Sequence, residues 1–235
     1  MSTPEARGTV ASTEFDGPIT IDEIVVADPV ESWTAAGFTV DDDATCRIGR
    51  VRIRLVGRER GKRIIGWSLR GIPSDAPLDG LATTASSAPL CDAAEHANGS
   101  LFIDHIVLLT PDQPRTIGAF EKAGLSARRT RETDQYGPPF LQTFFRAGEV
   151  IVELIGPAEP TGDDPPAFFG LAHTVADLDA TKALLGDHLG NVKDAVQPGR
   201  RIVTLRHKDL GMSVATAFMS PGAGAIDAFD VPVDE

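Results

Sequence analysis

Apolar and polar positions along this chain change period repeatedly, and the changes recur in one order. The segment IDHIVLLTPD, residues 103–112, predicts a strand running into a helix start, with Thr110 as N-cap and Pro111 at the first helical position. In the TIGAFEKAGL that follows, Ile117, Phe120 and Leu125 fall at roughly helical spacing and Gly124 is placed to end the helix. Three strand candidates come next, SARRTRET, FLQTFFRAG and EVIVELIG, the last closed by Gly156 and Pro157. The predicted order is β-α-β-β-β.

The order repeats downstream. FFGLAHTVAD predicts a strand, LDATKALLGDHLG a helix ending near Gly190, and NVKDAV, RRIVTLRHK and SVATAFMSP three further strands. A shortened copy lies upstream. There IDEIVVAD matches IDHIVLLT, PVESWTAAGF supplies a clipped helix, and RIGRVRIRLVG aligns with RAGEVIVELIG through an arginine, two glycines, a valine and a leucine. A fourth, damaged copy begins at RIIGWSLRGIPSD, with Gly66 where the downstream copy has Gly170, and runs into a stretch rich in Ala, Ser, Pro and Gly. The expected class is α+β, built from tandem βαβββ modules whose curved mixed sheets enclose a concave cup. The expected organisation is a disordered arm over 1–18, a degenerate module over 19–75, a linker over 76–101, and paired modules over 102–235 (102–157 and 167–220), related by an approximate two-fold. The cup is the large concavity such an architecture offers, and a ligand site is expected there.

Composition narrows the function classes. The 235 residues are 42% hydrophobic and 24% charged, a globular balance, and the formal charge of −12 disfavours nucleic acid and anionic membranes as partners. The basic clusters, RERGKR among them, read as charged turns and strand edges. Cys46 and Cys91 lie far apart without metal-finger spacing and are expected as reduced thiols. The polar start lacks the apolar core of a signal peptide, and no apolar run approaches the roughly 20 residues of a membrane helix. A cytoplasmic protein is therefore expected. No phosphate loop, GxGxxG, HExxH or GxSxG is present.

FIDHIVLLTPD followed by a helix and by VIVELIGP resembles the vicinal-oxygen-chelate superfamily of glyoxalases, extradiol dioxygenases and bleomycin-resistance proteins, over about residues 102–220. The resemblance implies a small-molecule ligand, a homodimer as one assembly, and a divalent metal (Zn, Ni, Mn or Fe) held by the first strand's His and the last strand's Glu of a module. Those positions are His105 and Glu153, with Glu153 also the candidate catalytic base. Strand alternation would put His105 on a face with Ile103 and Val107, and Glu153 with Ile151 and Ile155. The alternative is that His105 and Glu153 hydrogen-bond each other. In the partner module Gly170 and Ala217 occupy the ligand positions, so the four-ligand set is incomplete. Were the upstream copy to face the cup instead, Glu23, His105 and Glu153 would give three ligands with Arg54 a substitute cation, but the short connection from Pro157 to Phe168 favours the pairing of the two downstream modules. Gln142 is a candidate cup residue, and Gln197, Arg200 and Arg201 are candidate ligand-binding residues, either Arg able to clamp a carboxylate or phosphate, unless QPGRR is a solvated turn. His173, His207, His96 and His188 are expected away from any metal. Two functions stay open: a metal-dependent lyase, isomerase or dioxygenase acting on a small oxygenated compound, or a metal-free binding or sequestering protein.

Overall fold

Alternate residues of a strand face opposite ways, and burial shows which way each goes. Val150, Val152 and Leu154 are fully buried, whereas Ile151 and Ile155 are partly exposed. The computed structural model, which describes residues 18–73, 76–134 and 139–222, sorts such strands into two sheets. The first has five strands in the order β2-β3-β1-β4-β5. These are β1 (Thr20–Val26), β2 (Thr45–Ile48), β3 (Val51–Leu55), β4 (Ile64–Arg70) and β5 (Thr83–Ser86), with helix α1 (Val30–Ala35) after β1. The second sheet has eight strands in the order β11-β12-β13-β10-β6-β9-β8-β7. It comprises β6 (Ser100–Leu109), helix α2 (Gln113–Lys122), β7 (Ala127–Thr133), β8 (Phe140–Ala147), β9 (Val150–Gly156), β10 (Ala167–Val175), helix α3 (Leu178–Leu185), β11 (Lys193–Asp194), β12 (Arg201–Thr204) and β13 (Ala215–Met219). The fold is α+β with βαβββ modules.

The register repeats between the sheets. β6 runs parallel to β9 and antiparallel to β10, while β1 runs parallel to β3 and antiparallel to β4. Val107 pairs with Glu153 and with Gly170, and its counterpart Val25 pairs with Arg54 and with Gly66. The damaged fourth copy is thus a pair of strands: β4 and β5 run parallel, as β10 and β13 do. β5 lies inside the stretch 76–101 that was expected as linker. The glycines have a common cause, because an added Cβ at Gly170 would sit 2.4 Å from the Ala215 carbonyl oxygen and one at Gly66 3.1 Å from that of Ala82.

One helix start differs from expectation. α2 is capped by Asp112, whose carboxylate accepts from the Arg115 N–H at 3.0 Å, and Pro114 stands in its first turn. The Thr110 hydroxyl accepts from the Asp112 N–H at 3.1 Å, a local turn that delays the helix by two residues. Asp177 caps α3 in the same way, accepting from the Asp179 N–H at 2.8 Å. Cys46 and Cys91 are free and buried. The arm expected over 1–18 lies almost wholly outside the described residues.

The helix-facing sides of both sheets and the helices themselves form one continuous buried cluster, from Trp33 and Trp67 to Phe120 and Phe218. Trp67 meets Phe168 across the two sheets at 5.2 Å between ring centroids. Packing of this kind leaves the opposite sheet faces to polar side chains.

Candidate functional site

β6 does not alternate throughout. A register shift against β10 between His105 and Ile103 leaves Asp104 as an extra, bulged residue, and β1 repeats the shift at Asp22. Consequently Ile103 and Ile106 are both fully buried, which corrects the expectation that Ile103 shares a face with His105. The bulge turns Asp104 and His105 toward each other, with Asp104 Oδ1 2.9 Å from His105 Nδ1. The other carboxylate oxygen of Asp104 accepts from Arg200 Nη2 at 2.6 Å and from the Thr174 hydroxyl at 2.9 Å. Burial alone would raise the Asp104 pKa, yet the hydrogen bonds from His105 and Arg200 outweigh it and hold the carboxyl well below the usual range. With Asp104 an anionic acceptor at Nδ1, a neutral His105 carries its proton there and presents a lone pair at Nε2.

His105 Nε2 faces Glu153 Oε2 at 3.7 Å. That is too long for a direct hydrogen bond and short enough for one ligand oxygen to touch both atoms. The other Glu153 oxygen accepts from the Gln142 amide at 2.6 Å, and the Gln142 oxygen accepts from Arg131 Nε at 2.6 Å. Arg131 also lies over the Phe144 ring, 5.5 Å from its centroid. Burial raises the Glu153 pKa, opposed by the nearby His105 and Arg131. Three of the residues expected in the cup, His105, Glu153 and Gln142, are therefore brought together.

The other two lie elsewhere. Gln197 is exposed in the turn, where its carbonyl accepts from the Arg200 N–H at 3.2 Å. Arg201 makes a two-pronged, exposed pair with Asp179 of α3, both contacts at 3.0 Å. Its neighbour Arg200 takes the inward position. Asp104 and Arg131 were missed in the sequence, although the Asp is repeated in IDE and IDH and so carried a signal.

The five-stranded sheet has its own concavity of about 620 Å³, lined among others by Asp22, Glu23, Arg52, Arg54 and Ser86. At the positions equivalent to His105 and Glu153 it carries an ion pair, Arg54 to Glu23 at 2.5 Å. Asp22 is clamped by Arg52, Arg70 and the Ser86 hydroxyl. Glu23 therefore belongs to a different sheet from His105.

No protein-family model and no curated protein sequence matches the chain. Solved structures do. A mutant 4-hydroxymandelate synthase from Streptomyces coelicolor superposes over 90% of this chain and 96% of that chain, with a TM-score of 0.60 and 15% identity. The chain has the vicinal-oxygen-chelate fold. A methylmalonyl-CoA epimerase from Mycobacterium tuberculosis matches 53% of this chain and 90% of that chain at 19% identity, with a TM-score of 0.43.

In a vicinal-oxygen-chelate cup a metal needs at least three protein donors with open positions beside them. Here the pair of ligand positions in the partner module is Gly170 and Ala217, with no donor atom, and the first of these is fixed by backbone approach. The Gln142 oxygen is taken by Arg131 and both Asp104 oxygens are engaged. Among the described residues no group of three or more His, Cys, Asp or Glu side chains converges to hold a metal ion. His105 and Glu153 alone do not fit a resident metal.

Proposed function

We propose that this chain binds a small oxygenated organic molecule in the cup of the eight-stranded sheet, at His105 and Glu153, without a resident metal. One observation carries the reading: His105 Nε2 and Glu153 Oε2 converge at 3.7 Å, each held from behind by its own partner. A ligand hydroxyl can donate to the His105 lone pair, and a ligand carbonyl can accept from Glu153 in its protonated form, which burial favours. Binding then satisfies a largely buried polar pair whose facing atoms have no direct hydrogen bond to each other. A thermal-shift screen of small hydroxy acids, oxo acids and catechols tests this. The expected result is stabilisation by a subset of these compounds that is lost in Glu153→Gln and His105→Ala. Hits that survive both substitutions would place the ligand elsewhere.

A second reading, proton transfer next to a carbonyl of the bound molecule, is favoured by the raised Glu153 pKa beside an oriented imidazole. Exchange of a carbon-bound proton of the ligand in deuterated solvent, abolished in Glu153→Gln, separates catalysis from binding alone.

A further inference from the structure

Two basic segments far apart in the chain meet in space. RERGKR, residues 58–63, follows β3, and the turn His207–Leu210 precedes β13. Arg58 Nη2 donates to the Gly211 carbonyl at 2.6 Å, and the Arg63 N–H donates to Ser213 Oγ at 2.7 Å, across separations of 153 and 150 residues. Between them lies a cavity of about 530 Å³, within the range of small-molecule sites. Arg58, Lys62, Arg63, His207 and Lys208 line it, and no carboxylate does among the described residues. None of these five side chains is in an ion pair among the described residues. Asp28, which precedes α1, is buried and spent on the Ser213 N–H, at 2.9 and 3.0 Å, and on the Trp33 indole N–H at 3.2 Å.

In a chain of net charge −12, Arg58, Lys62, Arg63 and Lys208 around one cavity, with Glu59 and Asp209 of the same segments outside its lining, raise the local potential against the charge of the whole molecule. Such a cleft concentrates anions. Arg63 stands at a φ of 63°, a backbone conformation a non-glycine residue adopts at a cost, and its N–H donates to Ser213 Oγ. At the same cavity stands Phe169, an exposed aromatic side chain at 43% accessibility. Charge and ring together select a ligand with an anionic group and an apolar part.

We propose that this cavity, separate from the His105–Glu153 site and independent of that reading, binds a phosphorylated small molecule. Its phosphate lies on Lys62, Arg63 and Lys208, and its apolar or planar part lies on Phe169. Lysine and arginine supply charge-assisted hydrogen bonds to phosphate oxygens.

Calorimetric titration of the full chain at physiological ionic strength tests the proposal, with inorganic phosphate, pyrophosphate and phenyl phosphate as probes. Pyrophosphate is expected to bind saturably and to be weakened about tenfold or more in the double variant Lys62→Gln/Lys208→Gln, whose side chains are exposed and outside the core. Lys193→Gln, on β11, is expected to leave binding unchanged. Phenyl phosphate should bind more tightly than inorganic phosphate, and that margin should vanish in Phe169→Ala. Absence of pyrophosphate binding, equal weakening by Lys193→Gln, or no preference for the phenyl ester would each overturn the proposal. Cosedimentation with phosphatidylglycerol vesicles, without pyrophosphate binding, would instead assign the patch to a lipid surface.

Discussion

His173 sits on β10 with neither ring nitrogen hydrogen-bonded, between Phe38 at 5.2 Å and Phe218 at 5.9 Å. Burial pushes its pKa down to about 3 from an ordinary value near 6.5, so the folded protein holds the ring neutral. The unfolded chain takes up the proton first. Stability from this residue is therefore complete above about pH 6.5 and is lost progressively as pH falls toward 3. His173→Leu removes an unsatisfied buried polar group and should raise stability by about 1 to 3 kcal/mol, more in acid than at neutrality. Urea melts at neutral and acid pH check it; a destabilised variant would mean that the imidazole has a hydrogen-bond partner after all. His105 contrasts with it, since Asp104 occupies its Nδ1 and leaves Nε2 facing Glu153.

At the scale of elements, the bulge and the paired glycines shape the cup. The bulge at Asp104 sends two consecutive polar residues to one face, and Gly170 lets β10 approach β13 so closely that no side chain fits. Gly170→Ala should destabilise the chain by about 1 to 3 kcal/mol, and Gly66→Ala by less, because its contact is 3.1 Å against 2.4 Å. Chemical denaturation of both variants checks the order; equal tolerance would show that the strands can part. The order of elements along the chain was legible in the sequence because alternation is local and the modules repeat it, whereas which strands pair, and in what register, came from the structure. The bulge was not read, although Ile103 and Ile106, three apart in a strand and both apolar, were its trace. Arg200 and Arg201 could not be told apart, since the turn before β12 sets which one faces inward.

Across the whole molecule, the two sheets share one core while their concave faces differ in chemistry. The five-stranded cup closes its ligand positions with the Glu23–Arg54 ion pair, and the eight-stranded cup keeps His105 and Glu153 apart at 3.7 Å. The meeting of RERGKR with His207 and Lys208 was invisible in the sequence because about 150 residues separate them. Among the described residues no helix is long and apolar enough to cross a membrane. The His105–Glu153 pair is proposed to work as a ligand-binding couple and not as half of a metal centre. Metal ions would require deprotonated donors that Gly170 and Ala217 do not supply. The most direct measurement is elemental analysis of the purified chain after equilibration with Zn, Ni, Mn and ferrous iron and removal of excess. Far less than one metal per chain is expected, with no difference between the parent and His105→Ala. One tightly held metal per chain, lost in His105→Ala, would contradict it.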